Sequence, residues 1–266
     1  MQKKRGRQRK TKKRRGGTKE TLAKFWKEVK HFLQRWVLPF ILAVIVGYLV
    51  YPFVKNWLHQ EPVAKAAYHG IDVSKHQGKI NWKLVASDKN IQFVYIKATE
   101  GASVVDSRYT ENIKAAREAG LRVGSYHFFR GYKSAEDQFV LFSKYVKKGE
   151  QDLLPMVDVE EIGNRHVGKE RLQKNLTLFM ELVKREYGKY PLLYSQYRFY
   201  NEMLAPEFNK YFIFIARYSR QEPILKGEGK YNIWQYTEKG KIQGIKGNVD
   251  LDKFANGTTI NDVSFH

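Results

Sequence analysis

The sequence predicts an α/β protein, an irregular βα barrel of about eight strands preceded by one N-terminal transmembrane helix. Three observations carry this expectation. A run of 19 residues without a charge, Trp36 to Val54, follows a strongly basic start. Past residue 68, apolar runs of strand length recur, with helical patterns between the early ones. Acidic residues gather at the ends of several runs, which is where βα barrels keep their chemistry.

The 266 residues suffice for one sizeable domain plus a short extra element. A hydrophobic share of 42% and an aromatic share of 14% fit a folded chain and exclude a wholly disordered one. The net charge of +21 is unevenly spread: residues 1–35 hold 15 Lys/Arg against Glu20 and Glu28. The remainder carries 33 basic against 25 acidic side chains, so the charge asymmetry belongs to the N-terminal tail. Cysteine is absent, which removes disulfides, thiolate nucleophiles and Cys-ligated zinc.

The first element is the apolar run "WVLPFILAVIVGYLVYPFV". As a helix it spans roughly 28 Å, about the hydrocarbon thickness of a bilayer. Pro39 and Pro52 lie near its ends, where helix disruption is best tolerated. A buried core helix is the poorer reading, because soluble helices seldom lack polar residues on every face. Dense Lys/Arg before the run, against only Lys55 and Lys65 between it and Ala67, predicts a cytoplasmic N-terminus with everything after the span outside. A cleaved signal peptide is the rival, since Ala64 to Ala66 resembles a cleavage site. That site lies about ten residues past the run, and the run exceeds the usual signal core, so an uncleaved anchor is expected.

Ahead of the span, Leu22, Phe25, Trp26, Val29, Phe32, Leu33 and Trp36 recur at helical spacing, with Lys24, Lys27 and Lys30 between them. This suits a basic amphipathic helix on the inner leaflet. The run "KKRGRQRKTKKRRGG" could bind nucleic acid, but its place before a span favours topology and anionic lipid, and no nucleic acid is expected. The predicted organisation is a basic tail over 1–35, a transmembrane helix over 36–54, a linker containing Pro62 over 55–67 and a globular domain over 68–266.

Within that domain, strand patterns fall at 69–74, 91–99, 121–129, 153–160, 191–196, 211–218, 231–237 and 248–254. One helical pattern opens with a capping residue at Ser107 and stops at Gly120. A second, Lys169 to Tyr187, puts Leu172, Leu176, Phe179, Leu182 and Val183 on one stripe and ends at Gly188. Successive βα units imply a mainly parallel sheet, and eight strands are most economically closed into a barrel. The later strands lack full helices between them, hence the expected irregularity.

The carboxylates at strand ends are Asp72 on the first strand, Asp158 and Glu160 on the fourth, and Asp250 on the last. Asp158 and Glu160 are two apart, so on a strand they share a face, with Cβ atoms roughly 7 Å apart. Glu161 faces the other way. Repulsion and burial both raise the pKa of at least one member, which keeps it protonated as a general acid. Glycosidic cleavage needs this pairing, one acid for the leaving oxygen and one carboxylate for the developing positive charge. Singly, each acid reads as a solvated strand end; together they are harder to dismiss. Aromatic residues near strand ends, Tyr126, Tyr194, Tyr218, Trp234 and Tyr236, suit sugar stacking, whereas Phe128 reads as core. Lys97, inside an apolar strand, reads equally as half of an ion pair or as a substrate contact.

The segments "HGIDVSKHQGKINW", "FVYIKATEG", "GSYHFF", "LPMVDVE", "LLYS", "FIARY", "IWQYT" and "VDLDKF" together resemble the glycoside hydrolase family 25 lysozymes over about residues 68–256. The resemblance implies an irregular, flattened βα barrel that cleaves the β-1,4 bond after N-acetylmuramic acid in peptidoglycan. It implies Glu160 as general acid, Asp158 orienting the substrate's 2-acetamido group, and Asp72 and Asp250 tuning the acid. Lys97, Tyr126, Tyr194, Trp234 and Gln235 are then expected to bind the glycan. Retention through substrate assistance is implied, with inversion through a water still open. Phe214 stands where many relatives carry Trp, and Asp252 where Asn is common.

Two other classes compete: a non-catalytic peptidoglycan-binding envelope protein, and a nucleic-acid-binding membrane protein acting through residues 1–20. His69, His76, His127 and His166 show no metal-ligand spacing, and neither a phosphate loop nor a G-x-S-x-G elbow occurs, so no cofactor is expected.

Overall fold

The computed structural model describes residues 17–59 and 68–265. The basic run at residues 3–15, the Ala64 to Ala66 motif and most of the expected linker lie outside the described residues. The chain divides into two compact units, with the division between residues 60 and 61.

The first unit is helical: α1 (Gly17–Phe32), a π turn (Leu33–Val37) and α2 (Leu38–His59). The π turn has a local cause. Pro39 has no N–H to donate and its ring crowds the carbonyl four residues back, and the wider turn just before it, closed by the Leu38 N–H on the Leu33 carbonyl, relieves the ladder there. Apolar side chains stand exposed all round α2, among them Phe40, Leu42, Tyr48 and Leu49. The stretch Thr21–Pro52 is long and apolar enough to cross a membrane, and none of its most apolar window is buried.

The second unit is a barrel. Its strands are β1 (Gly70–Val73), β2 (Phe93–Glu100), β3 (Val104–Val105), β4 (Arg122–Phe128), β5 (Met156–Asp158), β6 (Leu192–Gln196), β7 (Ile213–Ala216), β8 (Ile233–Gly240) and β9 (Val249–Phe254). Eight of these close a ring in the order β1–β2–β4–β5–β6–β7–β8–β9, with β9 returning to β1. Neighbours run parallel except at β9, which is antiparallel to both β8 and β1. β3 adds only a short antiparallel flap to β2. Each of the eight predicted strand runs overlaps one barrel strand, and the predicted fold class stands.

Outside the ring lie α3 (Trp82–Ser87), α4 (Tyr109–Glu118), α5 (Ala135–Tyr145), α6 (Glu161–Asn164) and α7 (Lys169–Tyr187). α7 has the predicted bounds, and its stripe of Leu172, Leu176, Phe179, Leu182 and Val183 is buried. α4 begins two residues later than Ser107. No side chain caps it; Asp106 instead braces the turn before the helix, accepting from Arg108 N at 2.9 Å and from Lys75 N at 2.9 Å. Between β6 and β7 there is one turn of helix and a π turn, between β7 and β8 only a 3-10 turn, and between β8 and β9 no helix. The irregularity sits in the half of the barrel where the sequence lacks helical patterns.

Pleating sorts the strand residues into two faces, and residues paired across neighbouring strands share a face. The outer face of Val94, Ile96, Val123, Val157, Leu193 and Ile215 is buried beneath the helices. The inner face is aromatic at the base, with Phe93, Tyr95 and Phe214 fully buried. Tyr95 fits because its register partner on β4 is Gly124, where a Cβ would lie 2.4 Å from the tyrosine ring. Above these rings, toward the C-terminal ends of the parallel strands, the inner face turns polar.

Candidate active site

That polar layer is built strand by strand. β1 contributes Asp72, opposite Asp250 in the antiparallel register of β9. β2 contributes Lys97, aligned with Tyr126 on β4. Asp158 ends β5 and is aligned with Phe128 on one side and Tyr194 on the other. The chain stays extended past Asp158: the Val159 N–H donates to the Tyr194 carbonyl at 2.9 Å, and Glu160 has φ −116° and ψ 160°. Val159 is fully buried on the outer face, so Asp158 and Glu160 point to the same inner face, as the two-residue period predicts. Glu161 opens α6 and is exposed, reaching only Arg165 at 3.8 Å.

Gln235 on β8 ties the layer together. Its Nε2 donates to Asp72 Oδ2 at 2.6 Å, and its Oε1 accepts from the Tyr194 hydroxyl at 2.9 Å and from the Tyr218 hydroxyl at 2.8 Å. The amide can serve both sides because it carries donors on one atom and lone pairs on the other. Gln196, at the end of β6, donates to Glu160 Oε2 at 3.4 Å.

Lys97 resolves as an ion pair within reach of the acids. Its Nζ lies 2.7 Å from Glu100 Oε2 and 4.6 Å from the Phe128 ring centre. Arg130 pairs with the same glutamate and covers the same ring at 4.7 Å. Two cations and one carboxylate thus surround Phe128, which is more than the plain core residue expected.

Asp72, Asp158, Glu160 and Asp250 are all pushed toward their protonated forms, with burial the first cause in each case. At Glu100, by contrast, Lys97 and Arg130 outweigh burial and hold it below the ordinary range. Asp250 is raised to about 7, with the Glu238 and Glu160 charges adding to burial. Asp72 is raised well above the ordinary range by burial and by Asp250, against the Gln235 hydrogen bond. Asp158 is raised well above it by burial and by Glu160, with Lys97 opposing. Glu160 is raised by burial, while the Lys97 charge first, the nearby Tyr194 hydroxyl and the Arg130 charge pull it back. Asp158 Oδ1 is buried and meets no protein partner among the described residues. Asp252, one pleat below Asp250, is wholly buried, and neither of its oxygens meets one either.

The structure therefore gathers Asp72, Asp158, Glu160, Asp250, Lys97, Tyr126, Tyr194 and Gln235 on one inner layer. Trp234 stands apart. It occupies the opposite pleat from Gln235, in register with Ile215 and Lys253, donates its indole N–H to the Arg217 carbonyl at 2.8 Å and lies under the Lys253 ammonium at 4.0 Å. Phe214, the expected Trp position, lies beneath Tyr194 edge-on at 5.2 Å and supports the layer from below. Residues that sequence reasoning left out are Glu100, Arg130 and Gln196. Glu100 and Arg130 directly follow a predicted strand run and Gln196 ends one, so the same attention to charged and amide strand ends would have found them.

Comparison with known proteins agrees with this geometry. The model of the family described as glycosyl hydrolases family 25 matches residues 71–245. The chain is 37% identical over 209 residues to the uncharacterized protein YegX of Escherichia coli (strain K12), covering 77% of this chain and 75% of that one. It is 30% identical over 206 residues to lysozyme M1 of Streptomyces globisporus, covering 73% and 69%. Among solved structures, a family 25 glycosyl hydrolase from Bacillus anthracis superposes with a TM-score of 0.65 at 31% identity, covering 73% of this chain and 95% of that chain.

Proposed function

The chain belongs to glycosyl hydrolase family 25, and from that premise we propose a membrane-anchored muramidase with Glu160 as its general acid. It is a lysozyme-type glycoside hydrolase, and its substrate is the glycan strand of peptidoglycan. The bond cut is the β-1,4 link from N-acetylmuramic acid to N-acetylglucosamine.

Glu160 gives its proton to the glycosidic oxygen as the C1–O bond breaks. Asp158 holds the N–H of the 2-acetamido group, whose carbonyl oxygen closes on C1 from the opposite side. Water, deprotonated by Glu160, then opens that ring and restores the acid, so the product keeps its anomeric configuration. The observation that carries this reading is the Asp158–Glu160 pair on one inner face, with burial favouring the protonated acid. The buried, partnerless Oδ1 of Asp158 supports its part, because an amide N–H is the donor that such an oxygen lacks. Asp72 and Asp250 shape the acid's field. Lys97, Tyr126, Tyr194 and Gln235 line the saccharide site. Trp234, buried on the opposite pleat with its indole N–H engaged by the Arg217 carbonyl, is left out of the saccharide site.

The reading extends to location. Trp36 to Val54 spans the cytoplasmic membrane, residues 1–35 lie on its anionic inner leaflet, and the barrel faces the wall.

The test uses the full chain in detergent micelles on purified peptidoglycan, with turbidity and mass spectrometry of the products. New reducing N-acetylmuramic ends are expected, with a loss of about 100- to 10,000-fold in Glu160→Gln. Unchanged activity in that variant would remove Glu160 from its role. Binding without cleavage by the folded, unaltered protein on several wall types would leave a non-catalytic wall-binding protein.

A further inference from the structure

Beside the acid layer, a cleft of about 390 Å³ opens between the end of β4 and α6, with Arg130, Tyr132, Ile162, Arg165 and His166 around it. Its volume falls in the range of small-ligand sites. We propose that this cleft is the subsite for the acidic stem peptide that peptidoglycan carries on the lactyl group of N-acetylmuramic acid. The proposal rests on the muramidase reading above.

Position comes first. The muramic acid whose C1 is attacked bears its peptide on O3, two ring carbons away, so the peptide leaves the sugar close to the acid. The cleft is joined to that acid through Asn164, which is buried. Asn164 Nδ2 donates to the Glu160 carbonyl at 2.8 Å and to the Phe129 carbonyl at 3.2 Å, and its Oδ1 accepts from Gly131 N at 2.6 Å. These three bonds fix the floor of the cleft to the backbone of the acid and to that of the chain after β4. Gly163 lets this floor close, since a Cβ there would lie 2.9 Å from the Phe128 ring and 3.0 Å from the Phe129 carbonyl.

Chemistry comes second. No carboxylate lines the cleft. Arg130 is occupied by Glu100 and by the Ile162 carbonyl, so the free donors are Arg165 and His166, both exposed. The contact of Arg165 with Glu161 is 3.8 Å long between side chains 64% and 57% exposed, which is too weak to hold it from a ligand. Ile162 and Tyr132 stand 68% and 51% exposed on the rim. A stem peptide sets alanine methyl groups between free carboxylates. Those two kinds of group match an apolar rim with basic donors.

The experiment measures kcat and KM of the full chain in micelles on two substrates, peptidoglycan with its stem peptides and the same glycan stripped of them by an amidase. In Arg165→Ala/His166→Ala, KM for the peptide-bearing glycan is expected to rise about fivefold with kcat unchanged. The stripped glycan is expected to be cut as before, which also reports an intact fold, and Arg165→Lys is expected to retain most of the parent's KM. Equal losses on both substrates, or no change on either, would overturn the subsite and leave the muramidase standing. Failure of the unaltered chain to cut either substrate would overturn both.

Discussion

Asp252 shows how far single residues can be read. The sequence marks it as an acid two positions after Asp250, at a place where Asn is common in the resembled family; the barrel encloses it completely, with Asp72 and Asp250 as charged neighbours. Burial, and then those two charges, raise its pKa well above the ordinary range. The folded state therefore keeps a proton that the unfolded chain gives up near pH ~3.9. The fold binds more protons than the unfolded chain above that pH, so this residue's contribution to stability is whole below it and is lost as pH rises toward the raised folded value. An amide of the same shape has no proton to keep. Asp252→Asn is thus expected to match the parent near pH 4 and to exceed it by about 1–3 kcal/mol at pH 7, as measured by urea unfolding at both values. A gap that does not change with pH would mean that Asp252 is ionised in the fold. The acid pair Asp158 and Glu160 was legible because a two-residue period needs only local geometry. Trp234 was not, because a string of residues near a strand end does not say which pleat meets the cavity, and only its pairing with Lys253 does.

At the scale of elements, strand positions were legible from apolar runs and α7 from its buried stripe, since both periodicities are local. Other features depend on what each element meets. The start of α4 was misplaced because Ser107 does not cap it: Asp106, tied to the Lys75 N–H of another loop, holds the turn at 106–108 and the helix begins only after it. α5 was missed although Ser134 accepts from Asp137 N at 3.1 Å, because Gln138 interrupts its apolar stripe and is buried by its bonds to the 130–134 loop and to His127. β4 carries a similar dependence at Gly124. A glycine in a strand interior weakens the strand locally, yet here the Tyr95 ring fills the space that a side chain would take, and its hydroxyl donates to the Leu154 carbonyl at 3.0 Å. Gly124→Ala forces the ring or the strand to move within a packed interior, for an expected loss of about 1–3 kcal/mol in the urea midpoint experiment. The small alternative Gly124→Ser should lose at least as much. A neutral result for both would show that the Tyr95 ring has a second place to go.

For the whole molecule, two units of opposite character share one chain. The barrel hides its apolar residues beneath helices and keeps its polar layer inward, whereas α2 exposes Phe40, Leu42, Tyr48 and Leu49 on all sides. In water such a helix would leave a large apolar surface uncovered, at about 25 cal/mol per Å². A bilayer removes that cost, because lipid is as apolar as the side chains and the backbone bonds are met within the helix. For the proposed span, the asymmetry of charge in the sequence predicts an orientation with the basic N-terminal side in the cytoplasm. The expected result is that the full chain sediments with membranes, resists extraction by high salt and alkali, and is released by detergent. In spheroplasts, protease added outside is expected to reach the barrel and leave an N-terminal tag intact. A chain beginning at residue 61, exported by a separate signal, is expected to be soluble and to cut purified peptidoglycan with an unchanged kcat, because every inner carboxylate belongs to the second unit. Its rate on intact cells should fall, since the proposed anchor would hold the enzyme against the wall at high effective concentration. Salt extraction of the full chain would show a peripheral attachment through the basic tail, and protection of the barrel from external protease would reverse the orientation.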